Sequence, residues 1–158
     1  MCGALSLSFP PSSKYPIAYV EIRAISHATE DLRKVEFAVR NTLPQILAQE
    51  AIFTKTNCVG HHGNPIVLVE TKLVNRLALL SVLEKLGSSL SSLDKEQLAS
   101  ELRQHIDKHN LYLRLDKQDA FLGSLKLSSN DPIHIKIHFK NKTYEQIIDI
   151  CQQRGLLP

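Results

Sequence analysis

Cysteine is scarce in this chain and never paired in sequence: Cys2, Cys58 and Cys151 stand far apart, with no Cys-x-x-Cys. Three isolated thiols supply neither a disulfide framework nor a zinc ribbon. They fit a reducing compartment, so a cytoplasmic protein is expected. Long apolar runs are missing too. None approaches the roughly 18–20 residues of a membrane span, so no membrane partner is expected. Near the N-terminus, Leu5 to Phe9 is short and is broken by Pro10 and Pro11. Without a basic start and a longer apolar centre it does not read as a signal peptide. The chain also lacks a phosphate-cradling glycine loop, Gly-x-Ser-x-Gly and His-Glu-x-x-His. Nothing argues for an enzyme, so no catalytic residue is assigned, and no metal or cofactor is expected.

Charge of one sign is not in large excess either. Lys and Arg number 19 against 16 Asp and Glu, a formal net charge of +3. This permits an acidic partner such as nucleic acid without demanding one, and by charge alone simple solubility is the better reading. At 158 residues, 43% hydrophobic and 22% charged, the chain reads as one globular domain able to bury about two-thirds of its unfolded surface. The Ser- and Pro-rich residues 1–16 read as a flexible N-terminal arm or a start-site extension. Residues 17–158 are the single domain.

What the chain does have is alternation. In Leu111-Tyr112-Leu113-Arg114-Leu115-Asp116 the leucines point one way and Tyr112, Arg114 and Asp116 the other, the period of a half-buried strand. Ile133, Ile135, Ile137 and Phe139 alternate with His134, Lys136, His138 and Lys140 in the same way. In Ile17 to Ser26, an apolar row of Ala18, Val20, Ile22 and Ala24 opposes Tyr19, Glu21, Arg23 and Ile25. Two further strands, 51–59 and 65–73, flank the turn Gly60-His61-His62-Gly63-Asn64-Pro65 and form a hairpin.

Helical spacing links these strands. Leu32, Val35, Val39 and Leu43 mark a first helix, with Thr29 as its expected N-cap. Residues 75–86 form a second, stopped at Gly87. Asp94 with Gln97 suggests a capping box for a third. The last runs from about Tyr144 to Gln153. The sum is an α+β domain: one largely antiparallel sheet of about five strands, with helices packed on one face. A ferredoxin-like arrangement is the alternative.

If helices cover the apolar side, the other side shows Tyr19, Arg23, Tyr112, Arg114 and Lys136. Aromatic rings stack on unpaired bases, and cations neutralise phosphates. Lys117 closes the Leu111 strand and joins this candidate nucleic-acid-binding set. The plainer alternative is a wet sheet face whose Arg23 and Arg114 pair with Glu21 and Asp116. A homodimer or other protein interface on this face is a further reading, because Tyr and Arg also anchor interfaces. His27, Asp31, His61 and His62 are metal-ligand types without a fixed-spacing pattern; they read better as turn residues, with a metal-dependent hydrolase as the remaining alternative.

Three stretches, Ser26-His27-Ala28-Thr29-Glu30-Asp31, Gly60-His61-His62-Gly63-Asn64-Pro65-Ile66 and Leu111 to Gln118, occur in this order and are followed by Asp131-Pro132-Ile133. With these motifs the chain resembles an archaeal family of RNA-binding, predicted exosome-subunit-like proteins. The resemblance runs from about Tyr15 to Phe139. It implies a fold similar to that of the large-subunit ribosomal protein that contacts the smallest ribosomal RNA. It also implies RNA as partner, within an RNA-processing or exosome-type complex. His27, Asp31, Gly63, Asn64, Arg114 and Lys117 match the motifs. The family supplies no catalytic role for His27, Asp31, Gly63 or Asn64.

Overall fold

The computed structural model describes residues 15–158. The expected N-terminal arm, apart from its last two residues, lies outside them. Six strands form one sheet: β1 (Ile17–His27), β2 (Thr54–Val59), β3 (Pro65–Leu73), β4 (Ile106–Asp107), β5 (Asn110–Asp116) and β6 (Pro132–Phe139). Their order is β2-β3-β1-β6-β5-β4, and every ladder is antiparallel. The α+β class therefore stands, with six strands rather than about five. The extra strand is β4, two residues pairing Ile106 and Asp107 with Leu111 and Asn110. Two residues are too few to show a period in a sequence.

Seven helices accompany the sheet among the described residues: α1 (Leu32–Asn41), α2 (Gln45–Glu50), α3 (Leu80–Ser89), α4 (Ser92–Ser100), α5 (Leu102–His105), α6 (Lys117–Phe121) and α7 (Tyr144–Gln153). Val35, Val39, Leu83, Leu86, Leu98 and Ile147 are buried in one cluster with Ile22, Leu113, Ile135 and Phe139 from the sheet. One face of the sheet thus carries the core. Burial follows the strand alternation: in β5 the three leucines are buried while Tyr112 and Arg114 are exposed.

Several local expectations are corrected. Asp31, not Thr29, caps α1, with its carboxylate accepting from the Arg33 N–H. Ser91 caps α4 by accepting from the Asp94 N–H, while Asp94 itself accepts from the Leu127 N–H. The expected helix at 75–86 becomes a turn and then α3, and Gly87 lies inside α3 rather than ending it. A Cβ at Gly87 would stand 2.5 Å from the Gly155 carbonyl oxygen, so this glycine permits close packing. In β1 the ladder shifts between Ile17 and Tyr19. This bulge turns Ile17, only 1% exposed, into the core, where the plain alternation had placed Ala18.

Candidate nucleic-acid interface

Antiparallel register sets the open face in rows that cross the strands. Arg23 pairs with His134, and His134 with Arg114. Glu70 of β3 is the other cross-strand partner of Arg23, without an ion pair between them, so the row runs Glu70–Arg23–His134–Arg114 across β3, β1, β6 and β5. The next row is Lys72–Glu21–Lys136–Tyr112 across β3, β1, β6 and β5. The third is Tyr19–His138–Asn110. Five of the six predicted residues therefore stand together: Tyr19, Arg23, Tyr112, Arg114 and Lys136. Twice the strand spacing puts the Arg23 and Arg114 backbones about 9–10 Å apart.

The carboxylates expected to neutralise the arginines are engaged elsewhere. Glu21 lies 3.7 Å from the Lys136 ammonium. Asp116 accepts from the Asp119 N–H at 2.8 Å and caps α6. Among the described residues neither Arg23 nor Arg114 has an ion-pair or hydrogen-bonding partner for its guanidinium. Two unpartnered guanidiniums in one row are a ready site for phosphate oxygens. Between them, partial burial and the Arg114 and Arg23 charges push the His134 imidazole below its ordinary range. Burial, then Lys136 and His109, do the same to His138.

The two tyrosines differ. Tyr19 is stacked on His138, with centroids 4.7 Å apart and planes at 16°, and the Lys72 ammonium sits 4.4 Å over its ring. Tyr112 is 37% exposed. It lines a cleft of about 550 Å³ with Arg23, Arg114, His134 and Lys136 as neighbours and Gln104 and Asp107 as a wall. The sequence reading missed that wall. Gln104 belongs to α5 and Asp107 to β4, elements too short to register as patterns.

Lys117 stands apart from the other five. It begins α6 and is 8% exposed. Its ammonium donates to the Ile25 carbonyl at 2.7 Å and to Glu30 Oε1 at 2.9 Å, and lies 2.8 Å from Asp131 Oδ2. Three donors meet three acceptors, which uses the whole hydrogen-bonding capacity of the ammonium. The cleft it lines, with Asp31, Lys34, Asp116 and Asp131, shares no residue with the one at Tyr112.

Around Lys117 the family motifs converge. His27 Nε2 lies 3.1 Å from Asp131 Oδ1, and the His27 N–H donates to Glu30 Oε1. Burial pushes the Asp131 carboxyl up, but hydrogen bonds from Lys117 and His27 outweigh it and hold the group below its ordinary range. His27, Glu30 and Asp131 bring ligand atoms within 4.8 Å of one another, as a metal site would. Here the Lys117 ammonium already supplies a cation to both carboxylates. Asp31 caps α1. Gly63 has φ +78°, which its turn requires, and Asn64 packs so closely on Gly60 that a Cβ there would meet its Oδ1 at 2.6 Å. His61 and His62 are exposed in the same turn.

A family described as RNA binding matches residues 19–139. The chain belongs to this family. RNA-binding protein PAB1135 of Pyrococcus abyssi is 33% identical over 124 residues, covering 77% of this chain and 80% of that protein. An uncharacterized protein of Methanocaldococcus jannaschii, MJ0213, is 29% identical over 117 residues, 72% of this chain and 78% of its own. The crystal structure of protein AF2318 from Archaeoglobus fulgidus matches with TM-score 0.73 and 30% identity, over 87% of this chain and 99% of that one. Mth689 of Methanothermobacter thermautotrophicus matches with TM-score 0.71 and 28% identity, over 90% and 99%. Among the described residues no helix is long and apolar enough to cross a membrane.

Proposed function

We propose that this chain binds RNA, without catalysing its cleavage, on the open face of the sheet. The observation that carries this reading is the row Arg23–His134–Arg114, whose two guanidiniums lack partners among the described residues, beside a half-exposed Tyr112. Arg23, Arg114 and Lys136 contact phosphates, and Tyr112 stacks on a base. An unpaired strand suits this arrangement, since only an unstacked base offers its face to a ring. Lys117 acts from inside, tying β1, α6 and the start of β6 together, and does not touch RNA. Membership of an RNA-binding family and the name of the Pyrococcus abyssi relative support the partner class. Association with an RNA-processing or exosome-type complex, and the likeness to the ribosomal protein, extend this reading from the resemblance of the motifs alone.

Titration of labelled single-stranded RNA at several salt concentrations tests it. Three protein cations neutralising phosphates, and so releasing the counterions condensed there, give a log–log salt slope of roughly −2 for a single strand. Absence of binding at low salt, or a fully active Arg23→Ala/Arg114→Ala variant, overturns the proposal. Light scattering across the same concentrations separates it from a homodimer that covers this face.

A further inference from the structure

The cationic row ends at Arg114, but the concave surface continues. The outer edge of β5 is covered by two short pieces. β4 pairs with Asn110 and Leu111, and a strip at 126–128 bonds to Arg114 and Asp116. Between them the edge opens into a second cleft of about 630 Å³, walled by Gln97 and His105 on one side and Ser128 and Ser129 on the other. This volume lies within the roughly 300–1,000 Å³ of small-molecule sites. Gln104, Tyr112 and Arg114 line both clefts and form the divide between them.

The chemistry changes across that divide. The first cleft is densely charged, with Arg23, Arg114 and Lys136 beside Glu21, Glu70 and Asp107. In the second, Arg114 is the one Arg or Lys among the lining residues, and its acid, Glu101, lies 3.9 Å from His105. What remains is neutral. Gln97, Gln104 and Ser129 are exposed, and their amides and hydroxyl have no protein partner among the described residues. Amides and hydroxyls match base edges and ribose hydroxyls, which both donate and accept, better than they match phosphates.

We infer that this second cleft is a nucleoside-binding extension of the interface. It takes a base and ribose of the same RNA strand, adjoining the phosphate held at Arg114. The inference rests on the proposed RNA-binding reading and adds to it a direction, off the sheet over the β5 edge, and a non-ionic subsite.

Two single-stranded RNAs of about four and about eight nucleotides distinguish the two claims. Both are titrated against the full chain and against a Gln97→Ala/Ser129→Ala variant, two exposed positions whose truncation leaves the core untouched. The longer RNA is expected to bind the unaltered chain about tenfold more tightly, with the same salt slope, because the added contacts neutralise no further phosphate. The variant is expected to lose about three- to tenfold of that gain, as two lost hydrogen bonds imply, and to bind the short RNA unchanged. A variant that weakens both lengths equally, a gain that survives the substitutions, or a gain accompanied by a steeper salt slope overturns the subsite. Failure of the short RNA to bind, or its indifference to Arg114→Ala, overturns the RNA-binding reading itself.

Discussion

The Lys117 ammonium and the Asp131 carboxylate stand 2.8 Å apart, joining the start of α6 to the residue before β6. Glu30 and the Ile25 carbonyl complete the cage. Lys117→Ala leaves two carboxylates without their shared cation. Both are partly exposed, at 33% and 40% of their side chains, so water offsets part of the loss. Urea unfolding is expected to show a decrease of about 2 kcal/mol. RNA affinity, measured where the variant is folded, is expected to stay unchanged.

The same cage predicts an acid limb of stability. The folded-state Asp131 carboxyl is held below its ordinary value of 3.8. Its contribution is therefore fully present above that value and is lost as pH falls through the lower, folded one. Asp131→Asn is expected to be less stable than the parent chain at neutral pH. The gap is expected to narrow once the pH drops below the ordinary carboxylate range. Denaturation midpoints across that range check it, and a constant gap would contradict it.

On the open face, Arg114→Ala removes a guanidinium that the fold does not use. Stability is expected to change by no more than about 0.5 kcal/mol. RNA affinity is expected to fall about tenfold and the salt slope to flatten by about 0.7, one phosphate's worth on a single strand.

The two tyrosines are expected to separate. Tyr112→Ala loses the stacking of a base, about 1–3 kcal/mol of binding, and Tyr112→Phe restores it. Tyr19 already stacks on His138 beneath Lys72, so Tyr19→Ala is expected to cost RNA binding less than Tyr112→Ala. Parallel titrations of the three variants decide between a stacking role and mere proximity.

His134 makes binding pH-dependent. Its imidazole titrates below the ordinary value of about 6.5 in the free protein, and a phosphate placed between Arg23 and Arg114 favours the charged form. RNA binding then takes up a proton. Affinity is expected to rise as pH falls from about 7 towards 5, and His134→Gln is expected to flatten that rise. A parent chain with pH-independent affinity would count against this placement of the phosphate.

Gly87 gives a stability test of the packing. Alanine is worth about 1 kcal/mol more than glycine inside a helix, so at an interior position of α3 with open space around it the substitution would stabilise. The Cβ instead meets the Gly155 backbone at 2.5 Å. Gly87→Ala is expected to destabilise by about 1–3 kcal/mol, read by thermal or urea unfolding.

The alternating strands were legible because one buried face forces a period of two on the sequence, and β5 and β6 obey it at every position. That parity also placed Arg23, Tyr112, Arg114 and Lys136 on one surface before any pairing was known. Features settled by contacts distant in sequence were not legible. Lys117 continues the polar pattern of its neighbours, and only the return of the chain at Glu30 and Asp131 takes its charge away from solvent. Gly87 looked like a helix stop because the neighbour that requires it, Gly155, is far along the chain. The pairing expected for Arg23 and Arg114 failed for a related reason. Register sets Glu21 beside Lys136, and the α6 terminus claims Asp116.

The bulge at Ile17–Tyr19 works as a phase reset for β1. Residues before it answer to the core through Ile17, and residues after it answer to the open face through Tyr19 and Arg23. A single residue added upstream of the bulge leaves the count beyond it intact. The same residue added between Tyr19 and Arg23 reverses the parity and drives an arginine towards the interior. The chain leading into the domain is therefore free to vary in length, while the span from the bulge to Arg23 is fixed to the residue.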